Sequence, residues 1–389
     1  MINLNKFSAV LLSFALTIYF FGSISFIKLH YLLGLVGLIF IATIAKNNYK
    51  TRRFYNPLSF LLLTFVIFLI IGNSYTSAPQ YGLFKTFLFI SILLPFILIK
   101  HFVFSFKPFL YSSSVLLLFL FMNKFGDPLS IFNNADLFFR LNSEENNPIM
   151  ISRGLSLGLI ISVFVYNKTD KIIVKSIKLT IILLLIIFIG LAGSKGPVIS
   201  LLISILFYFI YKVKKGKISY KKLILLTTPI IISIIYFMSK FTFITDNRIF
   251  DTVSSQGSFD TRIGPQTFLI NDFMDNNIFN TIFGSGTGSF GYAYTGKDFS
   301  EYPHNIFLEI LYENGVLGLL IFIGFLCVLF FNFFNGRIEE SKIYLFIISI
   351  FFLVNAQFSG DISANVLFFV FAYLSTSNFK YKTHNYNLN

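Results

Sequence analysis

Long apolar runs separated by short polar breaks extend through almost the whole chain. A helix needs roughly 20 apolar residues to cross the hydrocarbon core of a bilayer, so the runs can be counted against that length. They lie near residues 7–27, 29–45, 57–72, 83–99, 109–125, 149–166, 179–193, 197–213, 223–240, 315–334, 343–358 and 364–376. This pattern predicts an all-α polytopic integral membrane protein with about 12 transmembrane helices. Because the last two runs are short, eleven spans with a buried C-terminal segment is the alternative.

The composition agrees with that interpretation. The chain is 55% hydrophobic and only 12% charged, whereas an ordinary globular domain is about a quarter charged. These values exclude most soluble classes and also a disordered chain. The single cysteine excludes a disulfide scaffold.

The basic residues are distributed unevenly between the two sides of the predicted bundle. With the N-terminus inside, most Lys and Arg fall in short inner loops, of which 46–56 and 212–222 are the richest, and most acidic residues fall outside. This is the positive-inside pattern, and it predicts that both chain termini are cytoplasmic. The net charge of +14 is therefore a signal of topology, and we expect no nucleic acid partner.

The polar segments outside the spans divide the chain into three regions. Residues 1–240 hold transmembrane helices 1–9, with an outer loop at 126–148. Residues 241–303 form a large outer loop with short amphipathic helices, and residues 304–389 hold an interfacial helix, transmembrane helices 10–12 and an inner tail. Long loops in compact proteins are usually functional, so we expect the chemistry on the outer face.

Basic residues on that outer face are candidate anion ligands. Arginines near membrane depth are costly and tend to mark ligand sites, and the guanidinium presents a fork of donors that fits phosphate oxygens. The candidates are Arg140, Arg153, Lys195, Arg248 and Arg262. For each of them the alternative is a side chain that snorkels to the interface or pairs with a nearby acid.

Lys195 lies at the tip of the segment GLAGSKGPVIS, residues 190–200, whose glycines separate two apolar runs. Pro197 suits the first turn of a helix, which would point its positive end at the same place. The segment therefore predicts either an anion-binding site or a plain turn between two helices. The stretch FGSGTGSFG, residues 283–291, lacks the features of a P-loop and predicts a turn-rich loop without a helix after it.

The segment YPHNIFLEILYENGVLGLLIFIGF, residues 302–325, predicts a short amphipathic helix that ends at an Asn-Gly pair before a full span. On that helix Asn305, Glu309 and Glu313 share one face. His304 precedes it, and histidine is well suited to take a proton from a hydroxyl near neutral pH. The alternative for His304 is a plain helix cap.

Taken in chain order, these motifs resemble the O-antigen polymerase and O-antigen ligase superfamily (Wzy/WaaL-like membrane glycosyltransferases). The resemblance covers roughly residues 140–325. The chain has Ser194-Lys195-Gly196 where Ser-Arg-Gly is commoner. The resemblance is most specific at His304, Asn305, Leu308, Glu309, Glu313, Gly315 and Gly318.

The resemblance implies a metal-independent and cofactor-free transfer of a glycan from undecaprenyl diphosphate, on the periplasmic face of the bacterial inner membrane. Its partners would be lipid-linked oligosaccharide repeat units, membrane lipids and a chain-length regulator. The implied catalytic residues are His304, Arg262 and Glu309. The implied ligands of diphosphate or glycan are Arg140, Arg153, Lys195, Arg248 and Asn305.

Two enzymes fit the resemblance. A polymerase moves the growing glycan onto the next lipid-linked repeat unit, and a ligase moves the finished glycan onto lipid A core. We favour the polymerase because a Phe- and Ile-rich chain without tryptophan is typical of polymerases matched to individual repeat units. A flippase of lipid-linked repeat units is the alternative from another class, but transporters place their sites on broken helices at the midplane and often show internal repeats.

Overall fold

The computed structural model describes residues 57–98, 148–165, 172–192, 194–219 and 260–376, together with 221, 224 and 228. Apart from a single turn of 3-10 helix at Glu340–Lys342, every regular element in this part of the chain is an α-helix. The α-helices are α1 (Pro57–Gly72), α2 (Pro79–Leu98), α3 (Pro148–Val165), α4 (Ile172–Ala192), α5 (Lys195–Lys214), α6 (Asp260–Met274), α7 (Ile278–Phe283), α8 (Ser289–Thr295), α9 (Ile306–Phe334), α10 (Ile343–Asn355) and α11 (Val366–Thr376).

The observed helices follow the predicted apolar runs wherever the structure describes them. The first three begin at Pro57, Pro79 and Pro148, because proline suits the first helical position, where its missing N–H group is not needed. The all-helical class is therefore confirmed for the described residues. The runs predicted near 7–27, 29–45 and 109–125 lie outside them, and of the run near 223–240 only residues 224 and 228 are described.

Two of the described helices, Lys195–Lys214 and Ile306–Phe334, are long and apolar enough to cross a membrane, and further apolar helices are shorter. Large apolar side chains also cover the outer surface of the helices. Phe60 is 67% exposed and Phe87 is 62% exposed. An exposed apolar surface of this kind is typical of a protein that contacts lipid.

Phenylalanine rings fill much of the interior. The ring of Phe369 on α11 lies 5.9 Å from that of Phe65 and 5.1 Å from that of Phe89. Nearer the other end of the bundle, Phe333 stacks on Phe346 with ring centroids 4.3 Å apart. Helix α10 packs between α5 and α11, and α9 packs on α1. Close aromatic packing of this kind can hold helices together where lipid removes the hydrophobic drive between them.

Several connecting segments meet at one end of the bundle. Thr76 Oγ1, between α1 and α2, donates to Thr287 O at 2.8 Å, and Ile306 N donates to Ala356 O at 3.1 Å. A Cβ at Gly196 would lie 3.0 Å from Phe358 Cβ, so the start of α5 packs on the segment after α10. At the opposite end of the bundle, the segments that follow α5 and α9 also meet, through an exposed ion pair of Lys217 with Glu340.

The glycine-rich stretch 283–291 is a tight turn between α7 and α8. Gly284, Gly286 and Gly288 all have positive φ, of 87°, 98° and 80°. The turn packs against polypeptide on both sides, since Gly286 N donates to Glu313 O at 3.1 Å and Thr287 N donates to Gly72 O at 3.3 Å. A turn-rich loop was predicted here and is confirmed, whereas the absence of a following helix was wrong, because α8 begins directly after Gly288.

Candidate functional site

The start of α9 carries the predicted histidine motif. Asn305 caps the helix, and its Oδ1 accepts hydrogen bonds from Phe307 N at 3.0 Å and Leu308 N at 3.2 Å. His304 immediately before it is half-buried and has φ of 56°, an uncommon value for a residue with a side chain. The ring of Tyr302 lies 4.6 Å from the imidazole. The predicted helix start is thus confirmed, and the cap itself is made by Asn305.

A kink at Gly315 divides α9 into a short first segment and a long second one. Gly315 has φ of 66° and ψ of −170°, a region that essentially only glycine occupies. A Cβ at this position would lie 2.3 Å from Ile282 O, so the close approach of α7 also requires glycine. The predicted interruption at Asn314-Gly315 is confirmed. Since the helix axis breaks here, the second segment does not by itself set the direction of the first.

The first segment of α9 binds a buried lysine from α2. Lys85 Nζ lies 2.5 Å from Glu309 Oε1 and donates to Glu313 Oε1 and Oε2 at 2.8 and 2.6 Å. All three residues are only 1% exposed. Glu309 and Glu313 share a face, as the spacing predicted, but that face is turned into the protein and holds a cation.

Lys85 is the residue that the motif analysis did not single out. It is the one charge in the otherwise apolar sequence of α2, PQYGLFKTFLFISILLPFIL. A charge inside an apolar span is by default a pointer to function or to a buried partner. That rule identifies Lys85 as unusual, but it does not identify the partner, because the two glutamates are far away along the chain.

The turn between α10 and α11 completes this cluster. Ile362 N donates to Glu309 Oε1 at 3.0 Å, and Tyr81, one turn before Lys85, donates from its hydroxyl to Asp361. Asp361 Oδ1 also accepts from Ala364 N at 2.7 Å. Three separate parts of the chain therefore meet in one buried polar cluster directly below the start of α9.

Arg153 on α3 reaches the same turn from another direction and is 1% exposed. Its Nη2 donates to Ser359 O at 2.8 Å and to Asn365 Oδ1 at 3.0 Å, and its Nε donates to Asn355 Oδ1 at 3.3 Å. These bonds direct the guanidinium at protein acceptors. The sequence predicted a diphosphate ligand at this position, and the observed contacts favour a role in holding the turn.

Lys195 lies at the same end of the bundle. Helix α4 ends at Ala192 and α5 begins at Lys195, so the predicted tight turn is present. The Lys195 side chain is half-buried, and Gly196 beside it packs on Phe358. Because Phe358 closely follows Ala356, which accepts from Ile306 N, Lys195 and His304 lie on segments that are joined through the end of α10.

The structure describes the other predicted cationic residues only in part. Arg262 lies in the first turn of α6. Helix α6 is held to α9 by Tyr312, whose hydroxyl donates to Asp272 Oδ2 at 2.6 Å. Arg140 and Arg248 lie outside the described residues. Among the residues that the structure does describe, no group of three or more His, Cys, Asp or Glu is arranged to hold a metal ion.

Comparison with known protein families gives a match over part of the chain. Residues 180–323 match a family model described as O-Antigen ligase. This segment includes Lys195, Arg248, Arg262, His304 and Glu309. No curated protein and no solved structure is significantly similar to the chain. Members of the matched family are membrane-associated, glycosyltransferase-like enzymes that act on lipid-linked glycans.

Proposed function

We propose that this chain, whose residues 180–323 belong to the O-antigen polymerase and ligase superfamily, is an O-antigen polymerase. It transfers the growing glycan from undecaprenyl diphosphate to the non-reducing end of the next lipid-linked repeat unit, without metal or cofactor. The reaction takes place on the periplasmic face of the bacterial inner membrane. A chain-length regulator is its expected protein partner.

The arrangement of the segments supports the proposed topology of about 12 spans with cytoplasmic termini. The segments that the charge pattern assigns to the outer side are those around 73–78, 194–196, 284–305 and 356–365, and contacts join them at one end of the bundle. The inner segments around Lys217 and Glu340 pair at the opposite end. A different threading of the chain through the membrane would separate some of these partners.

The observation that carries the proposal is the histidine at the capped start of α9, beside segments that bear cationic residues. The acceptor hydroxyl oxygen attacks the anomeric carbon, and the bond from that carbon to the diphosphate oxygen breaks with its electron pair going to the diphosphate. His304 takes the hydroxyl proton. General-base catalysis of this kind is worth about 10²–10⁴-fold.

Cations stabilise the leaving diphosphate as its charge develops, an effect that is strongest in a partly desolvated site. Arg262 and Lys195 are the proposed ligands within the described chain, and Arg140 and Arg248 complete the set. Asn305 Oδ1 is occupied by the helix cap, so a contact with the glycan would come from its amide nitrogen.

Glu309 acts on the site indirectly, through the helix segment that it holds in place. Its carboxylate is buried and contacts Lys85 and Ile362 N, so it orients the segment that bears the histidine. We assign Arg153 to the turn that it binds, and its role in diphosphate binding stays a prediction.

A deletion strain that carries plasmid-borne variants tests this function. Wild-type protein should restore a ladder of lipopolysaccharide lengths, and His304→Ala, Arg262→Ala and Arg140→Ala should each remove it while leaving core capped with one repeat unit. Arg337→Ala is the matched control, because Arg337 is exposed and lies at the opposite end of the bundle. A full ladder from His304→Ala would overturn the assignment of the base.

The ligase is the second candidate, and the description of the matched family favours it. The same strain separates the two enzymes. Loss of a ligase leaves core without any repeat unit, whereas loss of a polymerase leaves a single repeat unit attached. Uncapped core in the deletion strain would therefore replace the polymerase with the ligase.

A further inference from the structure

Lys85 provides the cation of the buried cluster. Its ammonium bridges two carboxylates spaced one helical turn apart on α9, and it lies 5.8 Å from the centre of the Tyr81 ring. Tyr81 in turn donates to Asp361. A single residue of α2 thus contacts α9 directly and reaches the turn before α11 through its neighbour one helical turn away.

Burying this many charges is expensive, and attraction between them repays the cost only when the geometry is good. An apolar cluster of the same volume is often at least as stable, so stability alone does not account for the arrangement. Buried ionic groups can instead fix one geometry among several. The cluster has the directional contacts that such a role requires, because Lys85 and Ile362 N converge on the same oxygen of Glu309.

The geometry that needs fixing is that of the first segment of α9. The kink at Gly315 uncouples this segment from the direction of the long second segment. Below the cap, the segment is held by Ile306 N bound to Ala356 O and by the bonds of Glu309 and Glu313. Without the lysine, two adjacent carboxylates on one face would repel each other. The segment would then be held about the kink mainly by its backbone contacts and by Tyr312, and so less firmly than in the wild type.

We infer that Lys85 is a positioning residue that holds the histidine-bearing segment, residues 304–314, in the orientation required for glycosyl transfer. The expected effect of Lys85 on catalysis rests on the proposed function. It concerns α2, which lies outside the segment matched by the family model. Lys85 acts through Glu309 and Glu313 and does not itself touch the substrate.

The test compares a variant that leaves the buried charges unbalanced with a variant that removes all of them. The comparison distinguishes a lysine that only neutralises the carboxylates from a lysine that also orients the segment. Lys85→Met alone leaves two buried carboxylates without their cation and should lower the amount of folded protein. Lys85→Met/Glu309→Gln/Glu313→Gln removes all three charges, keeps similar volumes and should restore the amount of folded protein. Lys217→Met is the matched control, since it also breaks a Lys–Glu pair but an exposed one at the opposite end of the bundle.

Two readouts are measured on the purified proteins. Hydrogen–deuterium exchange of residues 305–310 should be faster in the triple variant than in wild type, because local opening follows the loss of anchoring contacts. Turnover of a defined undecaprenyl-diphosphate-linked repeat unit should fall by about 10²-fold in kcat, the typical cost of misplacing a catalytic group by about 1 Å. KM should stay within about twofold, because the proposed diphosphate ligands are unchanged.

Wild-type exchange and wild-type kcat in the triple variant would overturn the inference and leave Lys85 as a mere counter-ion. Glu309→Gln alone keeps an oxygen for both Lys85 and Ile362 N, so exchange of residues 305–310 should stay close to wild type in this variant. If it alone raised exchange as much as the triple variant, the anchoring would belong to the charge of Glu309 and not to Lys85, and the inference would fail. If wild type formed no new glycosidic bond, the proposed function would fail, while the exchange measurement would still decide whether Lys85 holds the segment.

Discussion

Replacing Gly315 by alanine tests whether the kink of α9 is required by its surroundings. Gly315 has φ of 66° and ψ of −170°, and holding a residue with a side chain in such a region costs about 1–3 kcal/mol. The added Cβ would also lie 2.3 Å from Ile282 O and 2.5 Å from Gly284 N. These are backbone atoms, so they cannot rotate away as the end of a side chain can.

Relief of that overlap requires α7 and the glycine turn to move, and overpacking of this kind typically adds about 1–3 kcal/mol. Gly315→Ala should therefore destabilise the protein by about 2–6 kcal/mol in total. In a chain of this length the melting temperature should fall by roughly 2–7 °C. The displaced first segment should also stop polymer formation in the deletion strain.

Gly324→Ala is the matched control within the same helix. A Cβ at Gly324 meets nothing closer than Leu61 Cδ2 at 3.8 Å, an ordinary contact. Since alanine favours a helix interior over glycine by about 0.5–1 kcal/mol, this variant should be neutral or slightly more stable. Thermal unfolding of the detergent-purified variants, followed by the loss of monodisperse protein at one heating rate, measures both. Equal melting temperatures for the two variants would refute the reasoning.

Two further predictions concern charged side chains. Arg153→Met leaves the acceptors around the turn between α10 and α11 without their charged donor, so it should lower the free energy of unfolding by roughly 3 kcal/mol and lower the melting temperature. Arg337→Met should leave the melting temperature unchanged, and an unchanged melting temperature for Arg153→Met would contradict the buried contacts. The hydrogen bond from Lys217 lowers the pKa of Glu340 in the folded protein. Any stability that this exposed pair adds is therefore present above the pKa that Glu340 has in the unfolded chain, and it disappears as the pH falls through the pKa that Glu340 has in the folded protein. Because exposed pairs contribute little, Glu340→Gln should barely change the melting temperature at neutral pH and not at all at low pH, and a large change at either pH would contradict the exposure of the pair.

Local chemistry made several elements predictable. The helix starts at Pro57 and Pro148 follow from the fixed φ of proline, and the break at Gly315 follows from the Asn-Gly pair. The shared face of Glu309 and Glu313 follows from helical spacing alone. Each of these features depends on residues within a turn or two of one another.

The contacts that distinguish the site could not be predicted in the same way. Lys85 and Glu313 are 228 residues apart in sequence, and Arg153 and Asn365 are 212 apart. Sequence spacing indicates that these charges are unusual, but their partners depend on how the helices pack. The glycine turn was recognisable as a turn from the sequence. Its close contacts with Gly72 and Glu313 could not be predicted, because they depend on the same packing.

Reconstitution of the purified protein in liposomes with defined undecaprenyl-diphosphate-linked repeat units tests the central claim most directly. In the absence of ATP and added metal, wild type should produce glycans of two or more repeat units with release of undecaprenyl diphosphate. His304→Ala should produce none while retaining the melting temperature of wild type. Movement of the lipid-linked unit across the bilayer without a new glycosidic bond, or equal chain growth by both proteins, would contradict the account.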